Sequence, residues 1–165
     1  MNCHFLSPTE KKKLIEQVHE QFGISDLPGL LLETGKEKIR LFTGDLTKED
    51  FLDLAKDINI EIIGLYILRR EYDLRLSFDA THLFASQIKE KSINITEEQL
   101  ADWIRGKDIE VKDPTKGTVI IRKGEDFFGC GKSTSERIAN HVPKERRIKS
   151  EAPHSKLLPA GKSVC

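Results

Sequence analysis

The sequence has few cysteines and no long apolar segment. Its three cysteines, Cys3, Cys130 and Cys165, are scattered, and no two of them form a Cys-x-x-Cys pair. This pattern excludes a disulfide framework and the spacing of a zinc knuckle, so we expect reduced thiols and no structural metal. No apolar run reaches the roughly 18 to 20 residues of a membrane span, and the polar opening residues have no apolar signal-peptide region. We therefore expect a cytoplasmic protein without membrane contact.

A complete phosphate-binding loop is also missing. Residues 129–134, Gly-Cys-Gly-Lys-Ser-Thr, imitate the end of a Walker A motif, but Asp126 stands where that motif requires its first glycine. A carboxylate there would lie beside the bound phosphate. The chain also reaches Pro143 soon after Ser133, which leaves little room for the helix that such a loop needs. A P-loop-like nucleotide-binding enzyme is therefore the less favoured alternative, and we expect no cofactor.

The balanced net charge conceals an uneven distribution. Residues 1–121 hold 17 Lys and Arg against 22 Asp and Glu, whereas residues 122–165 hold 10 against 5. Such a basic cluster favours a polyanionic partner, and the alternative is a solvated charged surface or tail. The cluster consists of Lys132, Arg137, Lys144, Arg146, Arg147 and Lys149.

Helix signals occur at four places along the chain. Ser7 and Glu10 form a capping box, which predicts a first helix from Pro8 that Gly23 ends. Thr47 caps a second helix, whose apolar side chains we expect in the core. Those side chains are Phe51, Leu52, Leu54 and Ala55.

The third and fourth helices fall in the second half of the chain. Asp79 is predicted to cap the third helix. Thr96 opens the fourth, which ends at Gly106. Trp103 shares a face of that helix with Leu100 and Ile104, so we expect its indole ring in the core.

Strand signals lie between these helices and after them. Short β-branched or alternating segments are bounded by turns, which predicts mainly antiparallel strands in the first half and a partly closed barrel in the second. We expect the segment 58–68, which is rich in isoleucine, to be one strand buried on both faces. The other predicted strands are 30–33, 38–42, 74–78, 109–111, 118–121, 127–130 and 137–142.

One arrangement of residues resembles a known family. The order Gly-x-Gly-Lys, then Asn-His-x-Pro-Lys and an arginine, is similar to the PUA-like domain that ends bacterial ribosomal-RNA cytosine methyltransferases of the Sun/RsmF type. The segment 103–107, Trp-Ile-Arg-Gly-Lys, also resembles the part of that family that precedes the barrel strands. The matching positions are Gly129, Gly131, Lys132, Asn140, His141, Pro143, Lys144 and Arg147.

The resemblance implies a fold and a division of the chain. The fold class is α+β, with a small N-terminal α/β unit of antiparallel strands, similar to a pre-PUA domain, followed by a PUA-like mixed β-barrel with helices. The overall arrangement is similar to that of small ribosome-biogenesis factors. We expect a pre-PUA-like domain over 1–74, a PUA-like RNA-binding domain over 75–149 and a flexible tail over 150–165.

One departure from that family bears on catalysis. A methyltransferase needs a doubly wound cofactor-binding sheet and, for cytosine, a catalytic cysteine. The first 74 residues are too few for that sheet, and we expect Cys3 on an unstructured end. We therefore predict a non-catalytic protein that binds rRNA or tRNA in ribosome biogenesis or RNA modification. The alternative is a protein-interaction adaptor, or an accessory subunit that partners ribosome-assembly proteins or an RNA methyltransferase.

The candidate RNA-binding residues follow from the basic cluster and the family motif. Five cations are expected to contact phosphates, and two glycines to let the backbone approach the nucleic acid. Asn140 and His141 are expected to bond bases or 2′-hydroxyl groups, or else to brace a turn and a barrel end. The set is Gly129, Gly131, Lys132, Arg137, Asn140, His141, Lys144, Arg146 and Arg147.

Overall fold

Residues 3–149 form two five-stranded sheets in a computed structural model, which describes this range of the chain. The strands of the first sheet are antiparallel and lie in chain order. They are β1 (Cys3–Phe5), β2 (Leu30–Thr34), β3 (Lys38–Phe42), β4 (Leu65–Arg70) and β5 (Leu74–Leu76).

The second sheet is mixed, because its edge strand β6 runs parallel to β8 while the other pairs are antiparallel. The strand order is β6-β8-β9-β10-β7. Its strands are β6 (Ser92–Asn94), β7 (Ile109–Glu110), β8 (Lys116–Lys123), β9 (Asp126–Thr134) and β10 (Arg137–Asn140). The two sheets and the helices between their strands confirm the predicted α+β class, with a partly closed PUA-like barrel in the second half.

The helices begin largely where their caps predict. They are α1 (Pro8–Phe22), α2 (Lys48–Asp57), α3 (Phe78–Leu83) and α4 (Glu97–Trp103), with short 3-10 helices at Ala85–Gln87 and Lys144–Arg146. Ser7, Thr47 and Thr96 cap their helices as predicted, and all three form capping boxes, which the sequence predicted for Ser7. Gly23 ends α1 in the left-handed region at φ 81°. The predicted cap Asp79 is wrong, because Ser77 accepts the hydrogen bond from the Ala80 N–H and Asp79 lies inside the first turn.

Two expectations about the first sheet are wrong. The predicted strand 58–68 begins only at Leu65, since Gly64 takes φ 69°, a conformation that interrupts an extended run. Ile62, expected in the core, is 68% exposed. At the other end, Cys3 is not on an unstructured segment, because β1 pairs with β2.

The expected burial of α2 is also wrong in large part. Phe51 is the buried side chain of this helix and packs against Phe42 with ring centroids 5.0 Å apart. In contrast, Leu52 and Leu54 are 49% and 40% exposed, and Ala55 is exposed. Hydrophobic periodicity alone predicted burial here, but the described part of the chain has no element that covers this face.

The two sheets share a hydrophobic core. The largest buried cluster joins α1 and the first sheet to Ile120, Phe127 and Cys130 of the second. A polar contact lies beside this core, where the Thr118 N–H donates to Asp73 Oδ2 at 3.1 Å. The proposed boundary between residues 74 and 75 stays a prediction, and the predicted tail 150–165 lies outside the described residues.

Candidate nucleic-acid interface

The Gly-Cys-Gly-Lys-Ser-Thr segment lies wholly within a strand. It forms the second half of β9, and the next element is the antiparallel strand β10. A phosphate-binding loop would instead curl its N–H groups around the anion and lead into a helix N-terminus. The backbone around Lys132 therefore has no Walker A geometry, and the exposed Lys132 side chain is available only as a single cation.

A basic groove opens where the end of α4 meets the last described segment of the chain. Its volume is about 610 Å³. Apart from Ile148, its lining consists of cations from two stretches that are distant in sequence. We call this surface the basic groove, and it is lined by Arg105, Lys107, Lys144, Arg147, Ile148 and Lys149.

Asn140 holds the two stretches of the groove together. Its Nδ2 donates to the carbonyl oxygens of Trp103 at 2.7 Å and Lys107 at 3.0 Å, at the two ends of the turn that carries Arg105. Its Oδ1 accepts from the Val142 N–H at 2.8 Å. The side-chain amide is therefore engaged within the protein, and it fixes the α4 turn against the segment that leads to Lys144.

Gly106 permits a close approach between those stretches. It has φ 88°, and a Cβ atom added there would lie 2.6 Å from Arg147 Cδ. The guanidinium of Arg147 crosses this glycine and donates from Nε to the Val142 carbonyl at 2.9 Å. The Ile148 N–H closes the contact by donating to the Ile104 carbonyl at 2.9 Å. Any side chain at position 106 would displace Arg147 from the groove.

The two glycines of β9 make contacts inside the protein. Gly131 is buried under the Trp103 ring, and an added Cβ would lie 2.6 Å from Trp103 Cη2. The Gly129 N–H donates to Thr81 Oγ1 at 3.2 Å. Trp103 is fully buried, as predicted, and its indole N–H donates to the Phe128 carbonyl at 2.7 Å. These contacts give both glycines a packing role, and their contact with nucleic acid stays a prediction.

The cations of the predicted site and of the basic groove differ in their ion pairs. Arg137 pairs with Asp108, Arg146 with Asp79 at 2.8 Å, and Lys107 with Asp102 at 2.7 Å. The remaining cations have no carboxylate within 4.0 Å among residues 3–149, so they can meet a phosphate without first leaving a carboxylate. These cations are Arg105, Lys132, Lys144, Arg147 and Lys149.

Asp108 connects the paired cations to β10. The Asn140 N–H donates to Asp108 Oδ1 at 2.8 Å, and this bond, followed by the pairing with Arg137, holds the pKa of Asp108 below its usual range. The carboxylate therefore stays ionised and keeps Arg137 at the edge of the second sheet.

His141 lies half-buried between the two sheets. Arg75 of β5 donates from Nη1 to His141 Nδ1 at 3.1 Å. Burial, followed by the positive charge of Arg75, lowers the pKa of His141. The imidazole is therefore neutral at pH 7. Since a guanidinium can only donate, Nδ1 accepts, and the ring proton lies on Nε2.

The structure places the predicted polar residues in different surroundings. Asn140, Lys144 and Arg147 belong to the basic groove. His141 lies beside Arg75, Lys132 is an exposed cation of β9, and Arg137 and Arg146 are held by carboxylates. Sequence reasoning assigned no role to Arg105 and Lys107, although the Arg-Gly-Lys segment was noted. It also assigned no role to Arg75, because no pattern in the sequence places this residue beside His141.

Cys130 offers no reactive thiol. Burial raises the pKa of Cys130 to about 12, so its thiol stays protonated. No group of three metal-ligating side chains occurs within residues 3–149, and this includes the surroundings of Cys3 and Cys130. None of the helices in the same range is long and apolar enough to cross a membrane.

The barrel, the basic groove and the motif that builds it define a PUA-type domain. Residues 90–148 match the family model described as the PUA domain of methyltransferase RsmF. This part of the chain is accordingly a PUA-type domain of the kind that RsmF-type methyltransferases carry, as the sequence predicted.

Curated relatives extend the similarity beyond the barrel. The chain is 29% identical over 150 residues to the ribosomal RNA small subunit methyltransferase F of Psychromonas ingrahamii, across 86% of this chain and 30% of that protein. It is 24% identical over 143 residues to the protein of the same name from Vibrio cholerae serotype O1, across 84% of this chain and 29% of that protein. The chain therefore spans about 30% of the length of the curated relatives it matches.

Proposed function

We propose that this protein binds ribosomal RNA through the basic groove and catalyses no reaction on it. The observation that carries the proposal is the convergence of Arg105, Lys144 and Arg147 on one groove that Asn140 and Gly106 hold in shape. A clustered cationic groove supplies the sequence-independent part of RNA affinity. Ribosomal RNA is favoured over tRNA because the matching relatives are named as rRNA methyltransferases.

The residues of the predicted site receive different roles in this proposal. Arg105, Lys144 and Arg147 contact phosphates, because no carboxylate among residues 3–149 competes for them. Asn140 acts as a positioning residue, since its amide already bonds two carbonyls and one N–H. Gly129 and Gly131 shape the barrel beneath the site, because both are buried and packed within the protein. Arg137 and Arg146 bind RNA only when a phosphate competes with Asp108 or Asp79.

The proposed lack of catalysis rests on two features of residues 3–149. The sheets are mainly antiparallel, whereas the cofactor-binding core of a methyltransferase is a doubly wound parallel sheet. Cys130 is buried with its thiol protonated, so it lacks the thiolate that attacks a cytosine ring. We infer that this part recognises RNA in rRNA modification or ribosome biogenesis and leaves methyl transfer to an enzyme core.

The test is RNA binding at several salt concentrations by the double variant Arg105→Ala/Lys144→Ala. Small-subunit rRNA is the ligand, and Lys12→Ala/Lys13→Ala is the control, because it removes the same charge from the exposed face of α1. Loss of two phosphate contacts lowers the salt slope by roughly 0.7 to 0.9 per contact. If the groove variant and the control bind equally tightly, with equal slopes, the proposed function is wrong.

A second candidate function is that of an adaptor for an RNA-modifying enzyme. It is favoured by the uncovered apolar side chains of α2 and the following loop, among them Leu52, Leu54 and Ile62, which are 49%, 40% and 68% exposed. An adaptor would bind RNA weakly and a methyltransferase core directly. Binding of the purified core of the Psychromonas relative, lost in Leu52→Ser/Ile62→Ser but kept in the groove variant, would establish this alternative.

A further inference from the structure

A small cavity lies at the junction of the two sheets, beside the basic groove. Its volume is about 130 Å³. The first sheet and α3 form one wall, and β9 and the segment after β10 form the other. Pro143, which lines this cavity, directly precedes Lys144 of the groove. The principal polar side chains of the lining are Tyr66, Arg75, Ser77 and His141.

Arg75 is the main cation of this cavity, and part of its donor capacity is unused. Its Nη1 donates to His141 Nδ1 at 3.1 Å, and its Nη2 lies 3.1 Å from Glu71 Oε1. A guanidinium has five N–H donors arranged in a fork that suits phosphate oxygens. The side chain is 22% exposed, so a ligand in the cavity can reach it.

His141 contributes a second donor beside Arg75. Its Nδ1 accepts from Arg75, which leaves the proton of the neutral ring on Nε2. The ring can therefore keep its bond to Arg75 and donate from Nε2 to another acceptor. A phosphate oxygen meets this requirement, since it accepts hydrogen bonds without having to donate any.

The charges around His141 come from three further elements. Lys132 of β9, Glu71 of the β4–β5 turn and Asp108 before β7 all act on the ring in addition to Arg75. Both carboxylates are already engaged, Glu71 with Arg69 and Arg75 and Asp108 with Arg137. Lys132, in contrast, has no carboxylate within 4.0 Å in the described part of the chain. The junction therefore retains uncompensated positive charge.

We propose that Arg75 and His141 form a binding site for an RNA backbone phosphodiester at the junction of the two sheets. The site extends the basic groove onto the first sheet, so the pre-PUA-like unit takes part in RNA binding. This inference rests on the proposed function, because the phosphodiester belongs to the same RNA. The site also fixes the path of the RNA past Pro143.

The first test compares Arg75→Ala with Lys13→Ala, which removes one cation from α1 and serves as the control. Loss of one phosphate contact is expected to lower the slope of log affinity against log salt concentration by roughly 0.7 to 0.9. It is also expected to lower the affinity for small-subunit rRNA by up to about tenfold at moderate salt. Arg75→Lys, which keeps the charge but loses the fork, is expected to retain the slope and lose part of the affinity.

The outcomes separate this site from the groove. If Arg105→Ala/Lys144→Ala loses RNA affinity while Arg75→Ala and Arg75→Lys bind as the parent does, the junction site is wrong and the proposed function stands. If none of these variants loses affinity, both proposals fail. Circular dichroism identifies a variant that does not fold, and the second test then decides.

The second test follows the imidazole of His141 by NMR in the unaltered protein. A phosphodiester that accepts from Nε2 stabilises the protonated ring, so saturating rRNA is expected to raise the pKa of His141 and to shift its ring nitrogen signals. A purely structural histidine would titrate identically with and without RNA. Identical titration curves would overturn the proposed junction site.

Discussion

Asn140 reaches from the end of β10 to the backbone carbonyl of Trp103 at 2.7 Å, 37 residues earlier in the chain. The same side chain bonds Lys107 and Val142. The Asn140 side chain thus holds the turn after α4 against residues 140–143, which precede the last 3-10 helix. The cations of both stretches depend on this contact for their common groove.

Replacement of Asn140 by alanine is expected to destabilise the protein by about 2 kcal/mol. The substitution removes three hydrogen bonds, two of them partly buried, each with a net value of about 0.5 to 1.5 kcal/mol. Asn140→Asp should cost at least as much, since a carboxylate would face two carbonyl oxygens. Urea unfolding of both variants measures the change, with the exposed Asn59→Ala as control. Equal stability of Asn140→Ala and Asn59→Ala would contradict the bracing role.

Gly131→Ala is expected to cost about 2 to 3 kcal/mol of unfolding free energy through overpacking. The added Cβ would lie 2.6 Å from Trp103 Cη2 and 2.7 Å from the Ala139 carbonyl oxygen. Gly35→Ala is the control, because no atom lies within 4 Å of its added Cβ and only backbone strain at φ 58° remains. Thermal unfolding should show the larger loss for Gly131→Ala. A larger loss of stability for Gly35→Ala would contradict overpacking at position 131, because it would mean that Trp103 shifts without cost to make room for the added methyl group.

The stability of the protein is expected to fall as acid protonates His141. Burial and Arg75 hold the pKa of His141 in the folded state below its ordinary value of 6.5. The unfolded chain therefore binds more protons, so this contribution is complete above about pH 6.5 and is lost as the pH falls through the lower folded pKa. Urea midpoints between about pH 8 and pH 5 measure this loss. His141→Gln should show a smaller decrease, and an unchanged decrease would rule out His141 as its source.

Among single arginine variants, Arg105→Ala is expected to weaken RNA binding more than Arg137→Ala. Both side chains are exposed, but Arg137 is paired with Asp108 and must leave that partner to meet a phosphate. A double-mutant cycle with Asp108→Asn isolates the competition, since release of Arg137 should increase its contribution. Filter binding of rRNA at fixed salt gives the affinities. A greater loss for Arg137→Ala would place the main phosphate path along β10 instead.

Cys130 is expected to resist alkylation in the folded protein and to react once the chain unfolds. Its pKa of about 12 and its burial leave neither thiolate nor access for iodoacetamide. Cys3, which is partly exposed, is the internal comparison. Peptide mass spectrometry of labelled protein with and without urea measures both sites. Rapid native labelling of Cys130 would reopen the question of a catalytic thiol.

Signals between near neighbours predicted much of the fold. Ser7, Thr47 and Thr96 each bond a group three residues away, so a capping box can be identified from a few letters. The same reasoning was wrong where tertiary context decides. The isoleucines near residue 60 indicated a strand and Leu54 a core position, but neither pattern reveals whether a neighbouring element covers those side chains.

The sequence by itself determined the α+β class, the starts of three of the four α-helices and the motif that identifies the PUA-type domain, because each depends on residue types at short spacings. Only the tertiary structure shows that Arg105 and Arg147 line one groove, where Arg147 crosses Gly106. It also shows that Lys144 has no carboxylate within 4.0 Å among residues 3–149. Arg75 contacts His141, although the two residues are 66 positions apart in the sequence. Such contacts depend on how the two sheets pack on their shared core. The spacing of residues along the sequence does not predict that packing.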